Sequence, residues 1–112
     1  MRILYVYCHP LPDSFHAAIR AAALTALRPA GHAIDLLDLY AESFVPVLPA
    51  EACRNYRDPP RNQIGVENEV ARLKSADALV VQFPTWCFGP PAMFKGFLDR
   101  LLLPGVAMDM SE

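Results

Sequence analysis

Two short stretches of the chain carry residue types with chemistry to offer. The first, residues 8–14, reads Cys8-His9-Pro10-Leu11-Pro12-Asp13-Ser14 and runs straight into a helical pattern that begins Phe15-His16-Ala17. At such a helix start the backbone N–H groups of Phe15, His16 and Ala17 have no intrahelical partner. Together with the helix dipole they favour a phosphate. Ser14 adds a hydroxyl and His9 a ring nitrogen. The same residues also read as an ordinary helix cap, with Asp13 or Ser14 closing the first turn and His9 a plain loop residue. The second stretch holds Pro84, Thr85, Trp86, Cys87 and Phe88, followed by Gly89-Pro90-Pro91. Flat rings beside backbone amides held by prolines suit a planar heterocycle, whose faces need rings and whose polar rim needs N–H groups. Core packing of Trp86 and Phe88 is the competing reading.

Other chemistries are excluded at this level. A thiolate phosphatase built on Cys8 needs an arginine shortly after the cysteine, and none occurs before Arg20. Without that cation the thiol has nothing to activate it. Cys87 has no histidine near it in sequence and reads as a packed thiol. Cys8, Cys53 and Cys87 are odd in number and lack metal-ligand spacing, which fits reduced thiols in a cytoplasmic protein. Neither G-x-G-x-x-G nor a P-loop is present.

The elements that would position these loops follow from periodicity. Residues 2–7, RILYVY, are branched and aromatic and read as a buried strand. From Ser14 the spacing is helical, with Phe15, Ile19, Ala22, Ala23, Ala26 and Leu27 on one face, until Pro29 and Gly31 end it. Residues 32–37 make a second strand, and a short helix is expected over residues 50–56. Residues 63–75 read as a helix with Val66, Val70 and Leu73 inward and Glu67, Glu69, Arg72 and Lys74 outward. Leu79-Val80-Val81 suits a strand buried on both faces, and Phe94, Phe97, Leu98 and Leu101 form the stripe of a last helix. Alternating strands and helices predict an α/β domain with a parallel sheet. In the order 2-1-3, both loops flank the crevice where the sheet's winding reverses.

The residues carrying these loops resemble a known family. The run Phe83-Pro84-Thr85-Trp86-Cys87-Phe88-Gly89-Pro90-Pro91-Ala92-Met93-Phe94-Lys95-Gly96 resembles the strand-to-helix signature of the flavodoxin-like NAD(P)H:quinone oxidoreductases. Cys8-His9 with Ser14-Phe15 resembles the phosphate loop of that family, and Asp38-Leu39-Tyr40 with Phe44 and Pro46 its D-L-Y-x-x-x-F-x-P segment. The resemblance implies a flavodoxin-like, doubly wound parallel sheet, of which residues 1–112 form the N-terminal part of a single domain. It implies FAD, or FMN as in some relatives, with His9, Ser14, Phe15, His16 and Ala17 at the phosphates. Pro84, Thr85, Trp86, Cys87 and Phe88 would lie at the flavin ring. The implied reaction passes a hydride from NAD(P)H through the flavin to a quinone, usually in a homodimer. Two positions depart from the family: Cys87 stands where an aromatic residue is common, and His16 where asparagine is.

Length and charge bound the rest. One small domain fits in 112 residues, and a net charge of −2 gives no reason to expect nucleic acid as a partner. No apolar run approaches the ~18 residues needed to span a bilayer. Relatives continue for two further strands, so a fragment, or a chain completed by another, is expected. The alternative function is a truncated, non-catalytic member serving as an interaction or regulatory subunit, for example of an ion-efflux system.

Overall fold

The computed structural model describes residues 1–109. Three strands, β1 (Arg2–Tyr7), β2 (Ala33–Asp38) and β3 (Ala78–Gln82), form one parallel sheet in the order β2-β1-β3. Register pairs Tyr7 with Asp38 on one side and with Gln82 on the other, so the ends of all three strands meet at one edge. The helices are α1 (Phe15–Leu27), α2 (Ala50–Arg54), α3 (Glu67–Ser75) and α4 (Ala92–Leu101).

Strand alternation divides the core. Leu4, Val6 and Cys8 point to the face covered by α3 and α4, where they join Leu37, Leu39, Phe44, Val70, Phe94, Phe97 and Leu101. Ile3, Tyr5 and Tyr7 point to the opposite face, beneath α1, and are equally buried. Gly96 lets α4 approach the segment after β2: an added Cβ would collide with the backbone and ring of Pro46.

Four expectations from periodicity are corrected here. No residue of α1 is buried; Phe15, Ile19, Ala22 and Ala26 face outward, and the sheet-facing stripe is His16, Arg20, Ala23, Leu24 and Leu27. The helix is rotated because two polar contacts fix it: Gln82 holds His16, and Asp38 holds Arg20 at 3.1 Å. The helix expected over residues 63–75 begins only at Glu67, because Gly65 adopts a left-handed φ of 92° that no α-helix continues through. Arg72 does not face outward; its guanidinium pairs with Asp35 at 2.8 Å and Glu42 at 2.6 Å, tying α3 to β2. Finally, β3 is not buried on both faces, since Leu79 and Val81 remain 51% and 42% exposed. They share a face with Leu4 and Val6, so the core side of the sheet is uncovered at β3.

Candidate functional site

The first loop is fixed at both ends. Cys8 closes β1, and its N–H donates to the Gln82 carbonyl at 2.9 Å, joining the loop to the end of β3. Ser14, in extended backbone, caps α1 by accepting from the Ala17 N–H at 3.1 Å. That satisfies Ala17 and leaves the Phe15 and His16 N–H groups at the helix start without a partner among the described residues. His9 accepts the Leu11 N–H on Nδ1 at 3.1 Å, which fixes its ring within the loop.

The second loop is pinned by buried residues and presents everything between them. Phe83 stacks on Phe94 with centroids 4.5 Å apart, and Pro84 and Pro91 are buried, while Thr85, Trp86, Cys87 and Phe88 are exposed. Trp86 and Gly89 exchange both backbone hydrogen bonds, at 2.9 and 3.1 Å, around a tight turn. Its two central residues, Cys87 and Phe88, have φ of 50° and 66°, the left-handed pair of a type I′ turn that normally takes Asn-Gly. Two side-chain-bearing residues held there are strained by about 1 kcal/mol each or more. The core-packing reading of these rings fails: Trp86 is 44% exposed and Phe88 fully so. The N–H groups of Thr85, Cys87 and Phe88 have no partner among the described residues.

The two loops meet. His9 lies edge-on to Trp86 with ring centroids 6.0 Å apart, and stacks on His16 at 5.5 Å. Loop one, the first turn of α1 and the ring-bearing turn therefore border one open surface at the ends of β1 and β3. A cleft of about 340 Å³, lined by Tyr7, His9, Pro10, Arg20, Asp38 and Tyr40 among others, adjoins this surface at His9 on the β2 side of the first loop; Trp86 does not line it. Burial pushes the Cys8 thiol up to about 11, so Cys8 stays a thiol at neutral pH and is no nucleophile. No cluster of metal-ligating side chains occurs among the described residues.

A family model for the flavodoxin-like fold matches residues 1–112. The chain belongs to this flavodoxin-like family. It is 32% identical to NAD(P)H dehydrogenase (quinone) 1 of Rattus norvegicus, over 95% of this chain and 44% of that protein. The crystal structure of Smu.1420 from Streptococcus mutans UA159 superposes with a TM-score of 0.81 at 38% identity, over 96% of this chain and 56% of that one. NAD(P)H:quinone oxidoreductase from Methanothermobacter marburgensis does so with a TM-score of 0.78 at 29% identity, over 92% and 53%. The chain spans about half the length of the curated relatives it matches. Within the flavodoxin-like fold the surface between His9 and Trp86 lies at the carboxyl ends of the strands, beside the topological switch point.

One contributor at this surface escapes sequence reasoning. Gln82, the last residue of β3, accepts from the Tyr5 hydroxyl and donates to the His16 carbonyl at 2.9 Å, bridging sheet and helix. The available signal was a polar residue ending an otherwise apolar strand, between Val81 and Phe83.

Proposed function

We propose that the chain is the phosphate- and ring-binding part of a flavin-dependent NAD(P)H:quinone oxidoreductase. The observation that carries this reading is the convergence of His9 and Trp86, with ring centroids 6.0 Å apart, which joins a free helix N-terminus to an exposed aromatic turn. The residues present fit a flavin. Free N–H groups at Phe15 and His16 suit its phosphates. Unpartnered N–H groups at Thr85, Cys87 and Phe88 suit the polar rim of its ring, and the exposed Trp86 and Phe88 side chains give that ring apolar cover.

A bound flavin would supply two-electron transfer between a nicotinamide and a quinone. The protein's own work is positional. His9, Ser14, Phe15 and His16 hold the phosphate end, while Ala17, expected there too, spends its N–H on the Ser14 cap, and the strained Trp86–Gly89 turn fixes where the ring lies. Pro84 and Pro91, buried at either end, keep that turn from folding into the core. FAD is the cofactor that the resemblance implies, with FMN the second choice. A homodimer is the assembly that the resemblance implies. Absorbance of the purified chain tests the reading. Flavin bands in the near-ultraviolet and blue that survive gel filtration support it; a colourless protein that takes up neither FAD nor FMN on reconstitution overturns it and leaves the non-catalytic alternative.

A further inference from the structure

His16 and His9 are stacked rings whose neutral tautomers are set by their neighbours. The Gln82 amide has its nitrogen against two His16 atoms, the carbonyl oxygen at 2.9 Å and ring Nδ1 at 3.2 Å. A carbonyl accepts only, so the amide group facing it is NH₂, and the second hydrogen of that NH₂ points at Nδ1. Nδ1 is therefore an acceptor, and the ring's proton sits on Nε2. The amide is fixed in this sense from its other side, where Oε1 accepts from the Tyr5 hydroxyl. His9 reaches the same state independently, because its Nδ1 accepts the Leu11 N–H at 3.1 Å. Neither Nε2–H has a protein partner among the described residues.

We propose that Gln82 is a positioning residue: it holds His16 as the Nε2–H tautomer, so that His16 and His9 offer paired donors to the flavin phosphates. This rests on the flavin reading. The role differs from that of an asparagine at position 16, whose amide can turn either end toward a ligand without help. A histidine there has one donor to give in its neutral form, and Gln82 decides which nitrogen gives it. Arg20, one turn along α1, does not supply the charge instead, since its guanidinium is held by Asp38 at 3.1 Å and lies over the Tyr7 ring.

The test has two arms on the whole chain. Nitrogen-15 NMR reads which ring nitrogen carries the proton, and titration with FAD and with riboflavin separates phosphate contacts from ring contacts. The wild-type chain is expected to show a bare Nδ1 on both His9 and His16. Gln82→Leu should weaken FAD binding about tenfold, the scale of one hydrogen bond to a charged group, and leave riboflavin binding unchanged. In a His16→Ala background the same substitution should have no further effect on FAD. Gln82→Glu, nearly isosteric but without a donor for the His16 carbonyl, should draw the His16 proton onto Nδ1. Equal losses for FAD and riboflavin, or a full loss retained without His16, would make Gln82 merely structural and overturn the proposal. FAD binding by a wild-type chain whose His16 carries its proton on Nδ1 overturns the proposal alone. A bare Nδ1 in a chain that binds neither ligand overturns the flavin reading, and the phosphate-facing role with it.

Discussion

Ser14 does two jobs at one backbone position: its hydroxyl caps α1, and its place in the loop borders the free N–H groups of Phe15 and His16. Ser14→Asp keeps a good cap but sets a carboxylate where phosphate should sit. It is expected to leave the melting temperature within a few degrees of wild type and to weaken FAD binding at least tenfold, by repulsion between like charges. Equal affinity in that variant would separate the loop from the phosphate. Phe88 shows the opposite balance. It spends left-handed strain on a ring that touches nothing in the fold, so Phe88→Gly should stabilise the chain by about 1 kcal/mol while lowering flavin affinity. Denaturant titration beside ligand titration checks both signs. Cys8 gives a pH dependence. Its pKa rises from 9.0 to about 11 on folding, so the folded state keeps a proton that the unfolded state releases. The stabilisation is intact below pH 9 and is lost as pH rises toward 11; urea midpoints followed across that window should fall, and Cys8→Ala should flatten the fall. These residue-level roles were legible where a residue type does something rare. A His-Pro loop before a helix, and a Trp-Cys-Phe run between prolines, stand out in the sequence. Gln82 did not, since its importance lies in side-chain partners from two elements, Tyr5 of β1 and His16 of α1, neither near it in the chain.

Among the elements, β1 was readable to the residue because a central strand leaves its type in every position: Leu4, Tyr5, Val6 and Tyr7 are all buried, whichever face they point to. The last helix was equally clear, since one apolar stripe packs on one core. The middle helix and α1 were misjudged for different reasons. Gly65 moved the start of α3 through a backbone conformation, not through hydrophobic pattern. In α1 the apolar residues won the periodicity count, but ion pairing by Arg20 and hydrogen bonding by His16 determined the face. Helix α4 bears the sharpest packing constraint. Gly96→Ala would drive a methyl into Pro46 backbone, and a cost of about 1–3 kcal/mol is expected in chemical denaturation. Since Pro46 follows the Asp38–Phe44 segment and α4 follows the aromatic turn, that variant should also displace Trp86 and alter its fluorescence maximum.

For the molecule as a whole, the sheet has one finished side and one unfinished one. Leu4 and Leu79 are neighbours in register and face the same way, yet Leu4 is fully buried and Leu79 is half exposed. Leu4→Ala should therefore cost about 3 kcal/mol, and Leu79→Ala no more than about 0.5 kcal/mol in the isolated chain. A large cost at Leu79 would mean that something covers β3 in solution. The alternation of elements left the strand order open, and β2-β1-β3 followed only from the flavodoxin-like resemblance; the exposed face of β3 was not legible at all, because an apolar strand looks alike whether or not it is covered. On the proposed reading, loop one and the aromatic turn form a single flavin-binding surface. Trp86 is the only tryptophan in the chain and sits in that surface, so its fluorescence during FAD titration is the most direct test. Saturable quenching that weakens in Ser14→Asp is the predicted result; emission that FAD leaves unchanged, or quenching to the same affinity in both proteins, would contradict it.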